Sequence, residues 1–412
     1  FIGTTQYDAL NRPTAATTPD GSTTRTTYNT ANMLETVSIN LAGAAAQTPF
    51  ITNIDYDAQG RRTLIDYGNG ARTRYAYDPY TARLTRVLTR RNPAGFPDDC
   101  PAPQDTDWPG CQIQNLLYTY DPVGNVTAVR DTAQQTIFFR NQRVEPSNDY
   151  AYDALYRLTQ ASGRELLGLG ANDIPLAPAA SSYNDASRVR LPSPHNGKAM
   201  GTYTEHYDYD PAGNFLKLIH QGSHPIHAGW TRTYLYNEAS ALEPGKVGNR
   251  LSSTLVTGTQ GLTEGYGYDL HGNMTSMPQL QAMQWNFHDE LSMSQRQAVN
   301  ADDADGALHQ GERTYYVYDG TGQRARKITE SPAGIKRKER FYLDGFEVYV
   351  EYDNAGALTL QRETLHVADD RQRIAQVETR TQGNDGSPAR LVRYQFSNHL
   401  GSAMLELDDA AQ

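Results

Sequence analysis

Tyr120-Asp121-Pro122-Val123-Gly124-Asn125-Val126 is the stretch on which the fold of this chain turns. Tyr118 stands two residues before Tyr120, and residues i and i+2 of a strand project to the same face. The pair therefore lays two rings side by side just ahead of the aspartate. An aspartate that opens a type I turn caps the turn's backbone N–H groups, and a glycine four positions after the second tyrosine accepts a positive φ. A type I turn closing on a left-handed residue is a common hairpin connection. The stretch reads as strand, hairpin turn, strand.

The signature recurs. Tyr-x-Tyr followed by Asp or Asn appears at Tyr75/Tyr77, Tyr118/Tyr120, Tyr150/Tyr152, Tyr207/Tyr209, Tyr234/Tyr236, Tyr266/Tyr268 and Tyr316/Tyr318. Partial copies are Tyr7-Asp8, Tyr28-Asn29, Tyr56-Asp57 and Tyr352-Asp353. The turn aspartates include Asp121, Asp210, Asp269 and Asp319, and the closing position is Gly60, Gly124, Gly213, Gly272, Gly322 or Gly356 in six units and Asn11 or Asn32 in two more. Tyr156 occupies the glycine position of one unit, and Tyr77 is followed by Pro79 with no glycine at that offset, so these two turns are expected to differ in type. A degenerate unit is expected at Phe287-His288-Asp289, and residues 60–64, 156–159 and 249–251 are expected to be strands leaving their turns.

Internal repetition of this kind signals an array in which each unit stacks on its neighbours. Eleven or twelve hairpins are on the order of 22 to 24 strands, a ribbon roughly 105–115 Å wide at ~4.8 Å per strand. Rolled once, that ribbon is about 35 Å across, roughly one coil of a hollow wall and not a closed container. The expected fold class is all-β: antiparallel hairpins forming a spiralling, curved single-sheet shell, a partial hollow barrel. Residues 92–115, 162–203 and 296–312 interrupt the pattern and read as insertion loops, so residues 1–412 read as one repeat segment.

Composition agrees. Tyr 27 exceeds Phe 10 and Trp 3 together, Gly is 34 and only 38% of residues are apolar, so sheets held by tyrosine are favoured over thick aliphatic cores. No run of 18 apolar residues and no apolar leader is present, and residues 1–8 read as the middle of a longer protein, so the chain is expected to be an excised piece. A net charge of −10 repels a phosphate backbone and argues against nucleic acid as a partner.

With Tyr209-Asp210-Pro211-Ala212-Gly213-Asn214 and Tyr268-Asp269-Leu270-His271-Gly272-Asn273 as further copies, the repeat resembles the YD repeat of the Rhs family. Residues 394–409, containing Ser397-Asn398-His399-Leu400-Gly401-Ser402, resemble the start of the Rhs-associated core, taken as 390–412. Phe341-Tyr342-Leu343-Asp344-Gly345-Phe346-Glu347 and residues 361–381 resemble the B and C components of bacterial insecticidal toxin complexes. The resemblance implies a secreted, non-enzymatic shell that encloses a C-terminal cytotoxic effector, joins a partner shell component and hands the effector to a translocation channel. Such families end the core in a self-cleaving aspartate site; this sequence stops at Gln412, before that segment, so catalytic inertness is expected. Asp121-Pro122-Val123-Gly124 looks like the Asp-Pro-x-Gly of that site but belongs to an ordinary repeat turn.

Other constellations read as structural. Asp303, Asp305, Gly306, Leu308 and Glu312 fit a calcium loop, yet Ala301 removes its first ligand, so an acidic insertion is favoured. His220, His224 and His227 have metal-like spacing, but Pro225 breaks any helix and no cofactor is expected. Cys100 and Cys111 either close a disulfide that rigidifies their Pro-rich loop or remain free. Neither a Gly-x-Ser-x-Gly elbow nor His-Glu-x-x-His occurs. The competing reading is a secreted or surface β-solenoid whose tyrosine face binds carbohydrate.

Overall fold

The computed structural model describes residues 2–99, 112–167, 199–223, 229–240, 242–257, 262–278, 280–297 and 310–412. Those residues form thirty-one β-strands and two short 3-10 turns, with no α-helix among them. Successive strands pair antiparallel, and the pairing slips by one residue at the second tyrosine of a unit, as between Asp55 and Tyr56, Ala76 and Tyr77, and Asp208 and Tyr209. The slip is the bulge that a type I turn plus a left-handed residue imposes on a hairpin. More strands are present than the tyrosine count implied, because equivalent turns also open at Thr18, Ser331 and Asn398, where no Tyr-Asp announces them.

Several sequence boundaries move. Gln112–Tyr120, Leu158–Leu166, Met200–Tyr209, Leu291–Gln297 and Gln310–Tyr318 carry regular pairing into what read as insertions, so those insertions are shorter than 92–115, 162–203 and 296–312. Residues 249–251 are not a strand; the next one is Ser253–Thr257. Tyr156, expected to change its turn, has φ 62° and the same closing bonds as a glycine unit, Asp153 N–H to Arg157 O and Tyr156 N–H to Asp153 O. The Tyr77 turn does differ: it is one residue longer, Asp78 bonds Arg83, and Ala82 takes the positive φ.

The chain divides into two compact units, one comprising Phe1–Thr119, Val129–Gln134 and Lys338–Gln412, the other Tyr120–Ala128 and Gln135–Arg337. In the first unit two stretches of hairpin array lie face to face. Phe50, Ile51, Ile54, Ile65 and Tyr67 from early strands share one core with Phe346, Val348, Val367, Ile374, Tyr394 and Phe396 from late ones. The rings of Phe50 and Tyr394 are 5.5 Å apart, and Tyr67 meets Phe396 edge-on at 4.9 Å. Each such side chain, fully buried, contributes roughly 1.5–3 kcal/mol relative to exposure. The repeat spacing did not foretell this layer.

Arg62 crosses the same core. Its guanidinium bonds Asp369 at 2.7 Å and also Asp370, and the Arg62 and Asp369 side chains are only 5% and 0% exposed. Burial works against the arginine charge, but the bond to Asp369 and the two carboxylate charges outweigh it and raise its pKa.

In the second unit Ser147–Tyr152, Leu158–Leu166, Met200–Tyr209, Phe215–Gly222, Trp230–Leu235, Ser253–Thr257 and Leu262–Gly265 pair in succession. Leu280–Trp285, Leu291–Gln297, Gln310–Tyr318 and Arg324–Glu330 form a second succession. Among its described residues the buried apolar side chains are Val144, Ala161, Leu167, Ala199, Val256, Met283 and Met293, matched by buried Thr254, Glu264, Ser294, Gln295, Thr314 and Thr329. Among those residues no large aliphatic cluster forms, and side-chain bonds supplement the backbone pairing of these strands.

Candidate functional site

Those bonds are in the repeat turn. Asp153 accepts the N–H groups of Leu155 at 2.8 Å and Arg157 at 2.9 Å through one carboxylate oxygen. Asp319 does the same with Thr321 and Gln323, Asp121 with Gly124 and Asn125, and Asp210 and Asp269 with Asn214 and Asn273. These donors hold the carboxylates ionised: the Arg157 N–H leads in lowering Asp153, and the Thr321 hydroxyl leads in lowering Asp319. The closing residue has positive φ at Gly60 (74°), Gly124 (113°), Gly213 (94°), Gly272 (92°), Gly322 (79°) and Gly356 (82°), and likewise at Asn11 and Asn32. Gly124, Gly213 and Gly272 have the largest φ of the six and so sit furthest from what a side chain tolerates.

The tyrosine hydroxyl is the element that sequence reasoning missed. Tyr56 donates to Leu34 O at 2.7 Å, Tyr77 to Arg62 O at 3.0 Å, Tyr152 to Val126 O at 2.8 Å and Tyr209 to Leu158 O at 2.8 Å. Tyr236 reaches Phe215 O at 2.9 Å, Tyr268 reaches Leu251 O at 2.8 Å and Tyr318 reaches Leu291 O at 2.9 Å. Each acceptor lies in a preceding hairpin, mostly six residues beyond that hairpin's own second tyrosine or, for Leu291, beyond Trp285. The ring stacks and the hydroxyl latches. Phenylalanine supplies only the first, which explains a composition of Tyr 27 against Phe 10.

Two variants extend the pattern. Arg61 pairs with Asp57 at 2.6 Å, lies over the Tyr77 ring at 4.3 Å and donates to Ala82 O, tying its own turn to the next. Arg12 and Arg157 do the same toward Tyr28 and Tyr209. Trp285 replaces tyrosine in the degenerate unit and donates to Met274 O at 2.8 Å, with Asn286 opening the turn and Asp289 closing it at φ 58°. The unit is thus Trp285-Asn286-x-x-Asp289, and the exposed Phe287 is only its tip. An Asx residue three before a positive-φ position would have found it. In the second unit Phe215 bridges two repeats of the ladder, 4.9 Å from Tyr209 and 5.8 Å from Tyr234.

Tyr120 ends the strand Gln112–Tyr120. Cys100 and Cys111, Asp303 and Asp305, and His224 and His227 lie outside the described residues; Glu312 lies within the strand Gln310–Tyr318. Among the described residues no three His, Cys, Asp or Glu side chains converge as a metal site, and no helix is long and apolar enough to cross a membrane. His220 is described and bonds Glu165 and Glu205.

This turn-and-latch array has relatives. The family profile named RHS Repeat matches residues 7–45. The chain is 29% identical to the toxin subunit YenC1 of Yersinia entomophaga over its whole length, covering 38% of that protein. It is 30% identical to YenC2 of the same organism over 84% of the chain and 33% of that protein. The chain thus spans little more than a third of the relatives it matches. Among solved structures, the TcdB2-TccC3 crystal structure superposes with a TM-score of 0.74 at 26% identity, covering the whole chain and 18% of that one. The Tc holotoxin pore of Photorhabdus luminescens superposes with a TM-score of 0.72 at 26% identity, covering the whole chain and 17% of that one.

Proposed function

From the premise that the chain is an Rhs-repeat relative of Tc toxin subunits, we propose that it is a non-enzymatic wall segment of a secreted bacterial toxin, which encloses a cytotoxic polypeptide before delivery. The observation that carries this reading is the latch array. A sheet whose strands are fastened edge to edge by turn carboxylates and tyrosine hydroxyls extends without a thick core beneath it, and a wall around a cargo needs that property. The remaining shell is supplied by the rest of the polypeptide or by a partner Rhs-repeat component. The cargo lies C-terminal in the same polypeptide, and a channel component receives it. The chain's own part is mechanical, and its aspartates serve turns.

The test is protease protection in the whole polypeptide assembled with its Rhs-repeat partner. The C-terminal segment is expected to resist a protease added outside and to become sensitive when a latch tyrosine and its turn glycine are both replaced. A segment cleaved equally in both assemblies would contradict enclosure. Saturable binding of this chain to a glycan array would favour the carbohydrate reading instead.

A further inference from the structure

One cluster in the second unit serves neither turn nor latch. His220 lies on Phe215–Gly222 between two carboxylates: Nδ1 is 3.0 Å from Glu205 on Met200–Tyr209, and Nε2 is 3.0 Å from Glu165 on Leu158–Leu166. Its ring is stacked on both faces, against Tyr203 at 5.1 Å and against Trp230, the first residue of Trp230–Leu235, at 5.4 Å and 6°. Side-chain exposure is 13% for His220, 16% for Glu165 and 22% for Glu205. A neutral imidazole has one N–H and satisfies one carboxylate; only the imidazolium donates to both. Two aromatic faces also favour a cation. The site is built for the protonated ring.

We infer that His220 is a proton-operated clasp: as a cation it ties four neighbouring strands together at the ends that flank residues 167–199 and 223–229, and alkali releases it. Register places the surrounding groups. On the same face the described residues offer Tyr150 from Ser147–Tyr152, Tyr207 beside Glu205, Arg232 and Tyr234 from Trp230–Leu235, and Glu264 from Leu262–Gly265. Tyr207 donates to the second oxygen of Glu205, and Arg232 lies 4.0 Å from Glu264, so neither takes the place of His220. The hairpin Ile137–Phe139 and Gln142–Val144 touches these strand ends through uncharged Gln142, which donates to Ser223 O, while its Arg143 is paired with Glu145. Deprotonation would leave Glu165 and Glu205 facing a ring that can serve only one of them.

Burial opposes the charge on His220, but the Glu165 and Glu205 bonds overcome it and raise the pKa to about 9. The folded value exceeds the unfolded one, so the stabilisation is complete below the ordinary histidine pKa and is lost as pH rises toward 9. The inference does not depend on the toxin reading.

The test is a titration of this chain with 13C-labelled histidine, the His220 signal assigned with His220→Gln, alongside hydrogen exchange of residues 158–166, 200–209 and 215–222. A midpoint near 9 is expected. Exchange in these strands, corrected for intrinsic rates, should rise about tenfold between pH 7 and 10 in the wild type, while His220→Gln exchanges fast throughout. A midpoint at or below the ordinary histidine value, or equal pH dependence in both proteins, overturns the clasp. If His220→Gln does not fold, Glu205→Gln takes its place: it should lower the His220 midpoint, and an unmoved midpoint also overturns the inference.

Discussion

The two units use one repeat and stabilise it differently. In the first, Phe50, Ile65, Phe346 and Phe396 are almost wholly buried where two stretches of the array meet, and Arg62 is clasped across that contact. Among the described residues of the second, buried apolar side chains are few, and hydroxyl latches, turn carboxylates and an aromatic ladder reinforce the backbone pairing. The comparison teaches that Tyr-Asp-x-x-Gly specifies the hairpin and its attachment to the hairpin before it. Whether a second layer follows depends on aliphatic residues between the repeats. Where valine, isoleucine and phenylalanine accumulate, the array packs on itself; where threonine, tyrosine and glutamate stand instead, the described residues form no such core.

The largest expected effects lie in the first unit. Phe50→Ala should cost about 3–5 kcal/mol through lost transfer energy and a cavity. Arg62→Ala should cost a similar ~3–5 kcal/mol by leaving Asp369 buried and unpaired, whereas Arg62→Met together with Asp369→Leu should recover most of it. Denaturant titration reads both, and equal sensitivity to Met283→Ala in the second unit would break the contrast.

Turn strain comes next. Valine in place of Gly272, whose φ is 92°, or of Gly124, at 113°, should cost ~1–3 kcal/mol, seen as a lower unfolding midpoint. Unchanged midpoints in both would refute the turn geometry. Tyr209→Phe keeps the ring and removes the latch to Leu158, for a loss of about 0.5–1.5 kcal/mol and faster exchange in Leu158–Leu166. A loss as large as that of Tyr209→Ala would mean that the ring and not the hydroxyl does the fastening.

Acid should separate the units in the direction opposite to alkali. Glu347, in the first unit, is held by His366 and then Arg340, which lower its pKa to about 2. Its folded pKa is depressed, so its stabilisation is present above the ordinary glutamate value and disappears as pH falls toward 2. Glu347→Gln should flatten that acid limb and leave His220 untouched. The smallest effect has the opposite sign: Tyr156→Gly relieves a tyrosine at φ 62° and should be neutral to stabilising by ~0.5–1 kcal/mol.

The hairpin array was legible because its period lies in residues with narrow backbone preferences: Asp at the turn's start, and Gly or Asn at its left-handed close. The latch was not, since a hydroxyl's acceptor lies in another hairpin and no local pattern names it. Trp285 and Asn286 escaped because the indole N–H and an asparagine do the work of tyrosine and aspartate there. Tyr156 read as an exception because left-handed conformations are costly for tyrosine, yet the flanking bonds of Asp153 fix it there. Arg62 with Asp369 was invisible for a simpler reason: 307 residues separate them. The clasp at His220 lay inside a motif read for metal spacing, whose true partners, Glu165 and Glu205, come from neighbouring strands.

The central claim, that this array is wall around a cargo, is tested most directly by cryo-electron microscopy of the whole polypeptide with its Rhs-repeat partner. The account predicts continuous sheet surrounding a volume filled with density that lacks secondary structure. Sheets packed solidly throughout, with the C-terminal polypeptide folded outside them, would contradict it.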